Sequence, residues 1–228
     1  GGCHYAADCT RYTQHCGSCP QLEQSSPDDI SHQINNLKAQ SWQHLPLTIV
    51  CPSHWLADCA RQSTALKDKR VEVIANGIDQ TVFKPLDKTT ARKAFNLPQD
   101  KKLILFGAFG GTSDPRKGFN YLAETLKLLS QRESSGIELV TLGASQPQDL
   151  DTAFPLHQIM WLNDTVSMAL LYSAMDVVVV PSVQEAFGQM ASEAFACGVP
   201  VVAFGATGLL DILDHQVNGY LAQPYSAD

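Results

Sequence analysis

The segment 177–204 constrains the fold of this chain more than any other part. It reads VVVVPSVQEAFGQMASEAFACGVPVVAF, which predicts a buried strand, a loop, a short helix and a second buried strand. Strands that are apolar on both faces are typical of parallel sheets covered by helices on both sides. The segment therefore predicts an α/β fold in which strands and helices alternate.

The same alternation extends over most of the chain. Short apolar runs predict further strands, and one-sided apolar periodicity predicts helices between them. The strands are expected over 47–51, 71–75, 103–110 and 137–143, and the helices over 54–66, 119–132 and 166–174. Repeated units of this kind predict a Rossmann-like, doubly wound parallel sheet.

Two changes of pattern divide the chain into expected domains. The first 45 residues are polar, cysteine-rich and aperiodic, so we expect an irregular segment there. The polar stretch 84–102 interrupts the series of strands and helices, which indicates a boundary. We expect residues 1–84 to be the end of one Rossmann-like domain and residues 85–228 to be a second domain that is truncated at its end. The opening Gly-Gly without an initiator Met indicates that the chain begins inside a longer protein.

The composition excludes two classes of binding protein. The chain has 228 residues and a net charge of −7, whereas a general nucleic-acid or membrane-surface binder needs a basic face. No apolar run approaches the roughly 20 residues that span a bilayer. Seven cysteines, an odd number, without an export signal favour a reducing compartment, so we expect a cytoplasmic location.

Two carboxylates follow the predicted strand 177–180. Glu185 lies in the loop, and Glu193 lies one turn into the helix that begins near Gly188. Free backbone N–H groups at a helix start favour an anion, and we expect those near Gly188, Gln189 and Met190 to bind phosphate. Glu193 would then accept hydrogen bonds from two ribose hydroxyls, and Glu185 would face a sugar beyond the phosphates. The alternative is that Glu193 is a solvated helix residue.

A second candidate site is the loop 107–118, which reads GAFGGTSDPRKG. Its glycines keep the backbone accessible, and Arg116 and Lys117 stand just before a predicted helix. Cations at this point neutralise a diphosphate, and an arginine binds it in bidentate fashion. The alternative is an ordinary solvated pair of basic residues.

The amino-terminal cysteines form a third candidate site. Cys16 and Cys19 are separated by two residues, and Cys3 and Cys9 precede them. Four thiolates are enough for a structural, tetrahedral zinc site. Free or buried thiols and disulfides are the alternatives that the sequence leaves open.

The segment EAFGQMASEAFACGVPVVAF resembles the donor-binding segment of the family 4 retaining glycosyltransferases. Glu185 and Glu193 stand at the two glutamates of that family's E-x7-E motif. The similarity spans about residues 46–224. Other matching stretches occur in the same order: CPSHWL, ANGID, PRKG, YSAMDVVVVPS and NGYLAQP.

This resemblance implies a GT-B fold, in which two Rossmann-like domains enclose the active site. The chain would hold the end of the acceptor domain and most of the donor domain. The implied reaction moves a hexose from a UDP- or GDP-sugar to a glycan or lipid-linked acceptor with retention of configuration, and it requires no cofactor or catalytic metal. The expected setting is bacterial polysaccharide biosynthesis in the cytoplasm, at the inner face of the membrane. The missing part of the acceptor domain would associate with that membrane.

The resemblance also assigns roles to individual residues. Lys117 and Glu185 are expected to be catalytic: Lys117 contacts the donor diphosphate and Glu185 contacts the transferred sugar. Glu193 holds the ribose. The remaining donor contacts are expected from the side chain of Arg116 and from the backbone of Phe187, Gly188, Gln189 and Met190. Ala108 stands where many members carry an arginine, so Arg116 is expected to take over its phosphate contact.

Two other functions are compatible with the same residues. A nucleotide-sugar epimerase of GT-B architecture binds the same donor and needs no acceptor. A nucleotide-binding fragment without turnover is the other alternative, and we expect this chain alone to be inactive. Product analysis with donor alone separates the transferase from the epimerase.

Overall fold

The protein folds into two compact units, Gly1–Ala75 and Asn76–Asp228. The computed structural model describes residues 9–107, 114–132, 135–143, 150 and 152–227 of them. The division lies upstream of the boundary expected after residue 84. Phe83 explains the difference, because it is 6% exposed and belongs to the hydrophobic core of the second unit.

The first unit contains a small βαβ element, as predicted. Strands β1 (Thr48–Cys51) and β2 (Arg70–Val73) pair in parallel, and helix α2 (His54–Gln62) connects them. The helix begins where it does because the hydroxyl of Ser53 accepts a hydrogen bond from the N–H of Leu56, the N-terminal cap expected of serine. The small hydrophobic core of this βαβ element consists of Cys51, Ala57 and Ala60.

The expectation that residues 1–45 are irregular is wrong for one part of them. Helix α1 runs from Ile30 to Trp42. The carboxylate of Asp29 caps it by accepting hydrogen bonds from the N–H groups of Ser31 and His32. Among the described residues, this helix buries none of its own side chains. Ile30, Ile34 and Leu37 recur at helical spacing, a short pattern that the sequence analysis did not use.

The second unit is built on a six-stranded sheet that is parallel throughout. Its strands are β3 (Lys102–Gly107), β4 (Ile137–Leu142), β5 (Leu156–Ile159), β6 (Val177–Val180), β7 (Val201–Phe204) and β8 (Gly219–Ala222). Their order across the sheet is β5-β4-β3-β6-β7-β8, so the direction of winding reverses between β3 and β6. This is the doubly wound Rossmann order, and it confirms the predicted fold class.

Helices cover both faces of this sheet. They are α3 (Lys88–Ala94), α4 (Phe119–Arg132), α5 (Thr165–Ala174) and α6 (Gln189–Ala196). Along β3, Leu105 packs into the core that includes residues of α5 and α6, whereas Phe106 packs against Leu122 and Leu126 of α4. Successive side chains of a strand point to opposite faces, so one strand contributes to both cores. Among the described residues, no helix is both long and apolar enough to cross a membrane.

Helix α3 lies in the stretch 84–102, which the sequence suggested was only a boundary. Its buried residues are Ala91 and Arg92. The guanidinium of Arg92 lies 2.6 Å from the carboxylate of Asp176 and donates hydrogen bonds to four backbone carbonyls. A buried arginine with these partners is satisfied, and it ties this polar stretch to the second unit.

Candidate functional site

The candidate site lies where the winding of the sheet reverses. Strands β3 and β6 are neighbours, and the loops that follow them carry Lys117 and Glu185 respectively. Ligands of open α/β sheets bind outside the carboxyl ends of the strands at such a switch point. The sheet order therefore places the two residues expected to be catalytic at the edge where a ligand is expected.

Lys117 and Glu185 contact each other directly. The Nζ of Lys117 donates a hydrogen bond of 2.6 Å to Oε1 of Glu185, and 68 positions separate the two residues in the chain. The side chain of Lys117 is 43% exposed and that of Glu185 is 20% exposed. Both groups thus remain accessible from solvent at the carboxyl ends of β3 and β6.

A close contact of backbones holds the two loops together. Gly118 has a φ of +65°, and a Cβ atom at this position would lie 1.8 Å from the carbonyl oxygen of Pro181. The N–H of Val183 also donates a hydrogen bond of 2.9 Å to the carbonyl of Arg116. Only glycine fits this contact, so the residue beside Lys117 fixes where the lysine enters the site.

Arg116 lies in the same turn as Lys117, but its guanidinium contacts Asp114. Its Nε and Nη2 donate hydrogen bonds of 3.0 Å and 2.8 Å to that carboxylate. The hydrogen bond from Arg116 holds the pKa of the Asp114 carboxyl below its usual range. A phosphate would compete with Asp114 for this arginine, so the expected phosphate contact of Arg116 stays a prediction. Ala108 lies outside the described residues.

The loop that carries Glu185 rests on a 3-10 turn, Thr207–Asp211. The N–H of Glu185 donates a hydrogen bond of 3.0 Å to Oγ1 of Thr207, and the N–H of Gly208 donates one of 2.9 Å to the carbonyl of Glu185. A Cβ atom on Gly208 would lie 2.4 Å from the carbonyl oxygen of Ala186. Sequence reasoning missed this support, and a threonine followed by glycine carries no signal that points to it.

Helix α6 begins at Gln189, where the sequence analysis expected a helix start. Its N-cap is Gly188, which has a φ of +99°. Within the described part of the chain, no side chain caps this end. Phe187 is 5% exposed and anchors the loop, while Met190 packs partly against the larger core. The start of α6 thus retains N–H groups suited to an anion.

Glu193 is held by a tyrosine that the sequence analysis did not single out. The Oη of Tyr172 in α5 donates a hydrogen bond of 2.8 Å to Oε2 of Glu193, and Nε2 of Gln189 lies 3.3 Å from Oε1. Burial, and then the charge of Glu193, raise the pKa of Tyr172 well above its usual range. Glu193 is therefore half-buried and bonded to the core rather than simply solvated.

Comparison with known proteins assigns the family. Residues 100–228, more than half of the chain, match the model of the family "Glycosyl transferases group 1". The chain belongs to this family. An uncharacterized glycosyltransferase of Methanocaldococcus jannaschii is 34% identical to it over 174 residues, which cover 71% of this chain and 43% of that protein.

Other relatives of this chain have named activities. A D-inositol 3-phosphate glycosyltransferase of Mycobacteroides abscessus is 31% identical over 171 residues, which cover 70% of this chain and 37% of that protein. The structure of a sucrose-phosphate synthase from Thermosynechococcus elongatus superposes with a TM-score of 0.68 at 26% identity, over 91% of this chain and 52% of that one. The fold is thus of the GT-B glycosyltransferase type. The chain spans less than half the length of the Methanocaldococcus jannaschii and Mycobacteroides abscessus relatives.

The predicted zinc site lies partly outside the described residues. Cys9, Cys16 and Cys19 are described, and Cys3 is not. Within the described ranges, no three histidine, cysteine or acidic side chains gather closely enough to hold a metal ion. The N–H of Cys19 donates a hydrogen bond of 2.7 Å to the helix cap Asp29. The zinc site therefore stays a prediction.

Proposed function

We propose that this chain is the donor-binding part of a retaining glycosyltransferase that moves a hexose from a nucleoside diphosphate sugar. The observation that carries the proposal is the contact between Lys117 and Glu185 at the switch point, next to the start of α6. A nucleotide sugar offers its sugar, diphosphate and ribose in this order. Glu185, the start of α6 and Glu193 offer matching groups in the same order along the chain.

The charges at the site suit a diphosphate leaving group. When the bond between the anomeric carbon and the phosphate oxygen breaks, its electron pair stays on the diphosphate. Lys117 and the N–H groups at the start of α6 then lie where this charge develops, and Arg116 adds to them if it exchanges Asp114 for phosphate. Such preorganised electrostatic stabilisation is a large term in many enzymes. It requires neither a covalent intermediate nor a metal ion in this proposal.

Glu185 has two tasks in this proposal. In the free protein its carboxylate accepts the hydrogen bond of Lys117, and it thereby keeps the lysine in place. With donor bound, its second oxygen orients the hydroxyl groups of the transferred hexose. The acceptor, which we propose to be a glycan or a lipid-linked sugar, approaches from the other domain. We propose polysaccharide biosynthesis in the bacterial cytoplasm, at the inner face of the membrane, as the setting.

Calorimetric titration with UDP, GDP and ADP tests the donor site. We expect one of them to bind, and we expect Glu193→Ala to weaken it by about 1–3 kcal/mol because hydrogen bonds from two hydroxyls to a charged group are lost. Equal binding by wild-type protein and a folded Glu193→Ala variant would refute the assignment of the ribose site.

Product analysis tests the reaction with the full-length protein. NMR of the anomeric proton should show one new glycoside with the configuration of the donor, formed only when acceptor is present. Isomerisation of the donor without acceptor would identify an epimerase instead. Donor binding by the full-length protein without any turnover would identify a nucleotide-binding module instead.

A further inference from the structure

Tyr172 places a polar group in the core beside Glu193, the carboxylate proposed to bind the ribose. It is the largest side chain among the described residues that are less than 2% exposed. A buried hydroxyl destabilises a core unless it is hydrogen-bonded, and phenylalanine would fill the same volume without that need. The hydroxyl of Tyr172 instead donates to Oε2 of Glu193. Its presence points to a task beyond packing.

We infer that Tyr172 is a positioning residue that orients Glu193 toward the two hydroxyls of the donor ribose. This inference rests on the proposed function, since it needs a nucleotide at the site. Tyr172 itself is buried and does not touch the ligand. It acts through the carboxylate, which is half-buried and reaches the surface.

The tyrosine is itself fixed by the core. Its ring lies 6.4 Å from that of Phe83, between ring centroids. The next residue, Ser173, donates a hydrogen bond of 2.8 Å to the carbonyl of Ala169 and accepts one of 3.2 Å from the N–H of Leu86. Neither the ring nor its helix can follow a moving carboxylate. Glu193 must therefore come to the tyrosine, and this selects one orientation of its flexible side chain.

The hydrogen-bonding capacity of Glu193 leaves room for a diol. An ionised carboxylate has about four acceptor positions. Tyr172 occupies one of them on Oε2, and Gln189 makes a long contact of 3.3 Å to Oε1. About one position on each oxygen thus remains for the hydroxyl pair of a ribose. A side chain that is oriented before binding loses less conformational entropy on binding, which raises affinity for the diol.

The ratio of the affinities for a ribonucleotide and its dideoxy analogue measures how well Tyr172 positions Glu193. We would determine the affinities of UDP, GDP and ADP and of their 2′,3′-dideoxy analogues for the wild-type chain, Tyr172→Phe and Tyr220→Phe. Wild-type protein should prefer the ribonucleotide by about ten- to a hundredfold. Tyr172→Phe should lower the affinity of the ribonucleotide about three- to tenfold and leave that of the dideoxy form unchanged. Tyr220→Phe, which removes a hydroxyl from an edge strand, should change neither.

A double variant separates positioning from a general loss of structure. If Tyr172 acts only through Glu193, Tyr172→Phe should cause no further loss of affinity in a Glu193→Gln background. A wild-type preference for ribose that Tyr172→Phe leaves intact would overturn this inference alone. An equal loss for ribo and dideoxy forms would also overturn it. Absence of any nucleotide binding by the folded wild-type chain would overturn the proposed function, and this inference with it.

Discussion

The two carboxylates of the site are the same residue type in one short segment, yet their surroundings differ. Glu185 lies in a loop and is bonded to a cation on another loop. Glu193 lies on a helix and is bonded to a neutral phenol from another helix. The first carboxylate is therefore paired with a cation, whereas the second accepts from a neutral donor and keeps an acceptor position on each oxygen. The comparison shows that partners, rather than the spacing of the motif, determine what each glutamate can bind.

The two regions also depend on different kinds of support. The Lys117–Glu185 region is held by close backbone contacts at Gly118 and Gly208, where no side chain fits. The Tyr172–Glu193 region is held by the hydrophobic core, to which Tyr172 and Ala194 contribute. A small change of backbone should therefore damage the first region, and a loss of one hydrogen bond should damage the second.

The largest effect is expected for Gly118→Ala. Its Cβ would meet the carbonyl of Pro181, and its φ of +65° disfavours alanine, so the loops must separate. We expect a loss of about 3 kcal/mol or more in the free energy of unfolding, or a displaced loop with lost nucleotide binding. Urea denaturation measures the first outcome and calorimetry the second.

Two other glycines provide matched controls for that variant. Gly77 has open space at its Cβ position, and Gly136 has open space but a φ of +80°. Gly77→Ala should change stability by less than about 0.5 kcal/mol, and Gly136→Ala should cost about 1 kcal/mol from backbone strain alone. If Gly118→Ala were no worse than Gly136→Ala, the contact with Pro181 would not matter.

A smaller effect of unusual sign is expected for Glu185→Gln. The amide no longer neutralises Lys117, so a free nucleoside diphosphate should bind about two- to fivefold more tightly, in line with the strength of an exposed ion pair. The nucleotide sugar should bind more weakly, since its hexose loses a charged partner. Calorimetric titration with the nucleoside diphosphate and with the nucleotide sugar measures whether each affinity rises or falls.

The hydrogen-bonded pair of Glu138 and His157 provides the control for this substitution. It is also 2.6 Å long, and it lies on strands β4 and β5 rather than in the loops of the site. Glu138→Gln should leave both affinities as they are. Weaker binding of the free diphosphate by Glu185→Gln would contradict the prediction. It would show that Glu185 helps Lys117 to bind the diphosphate rather than competing with the diphosphate for Lys117.

The smallest effect is expected for Gln189→Ala. Its side chain makes two long, exposed contacts, of 3.3 Å to Glu193 and of 3.5 Å from Asn76, and its backbone N–H at the start of α6 is unchanged by the substitution. Nucleotide affinity should therefore change by less than about twofold, well below the effect of Tyr172→Phe. A tenfold loss in titration would mean that the side chain, rather than the backbone, contacts the ligand.

The central strands of the sheet were predictable, and its edges were not. Strands β3, β6 and β7 are apolar on both faces because both faces are covered. The edge strands β5 and β8 carry exposed residues such as Gln158 and Tyr220, and the sequence analysis missed them. Helix α3 was missed because Arg92, and not an apolar stripe, joins it to the second unit.

The candidate site shows the same limit. Glycines and charges that follow apolar strands pointed to Lys117, Glu185 and Glu193, because these patterns are local in the chain. Tyr172 and Thr207 meet their glutamates across 21 and 22 positions, so only the packing of the fold brings them together. Partners that depend on tertiary packing leave no trace in the local pattern.

The division of the site into phosphate and ribose parts is tested most directly with two ligands and two variants. Ligand-observed NMR would give the affinities of the bound nucleoside diphosphate and its parent nucleoside for wild type, Lys117→Ala and Glu193→Ala. Lys117→Ala should weaken the diphosphate about tenfold and leave the nucleoside unchanged, whereas Glu193→Ala should weaken both. Equal losses for both ligands in Lys117→Ala, or no loss in Glu193→Ala, would contradict the account.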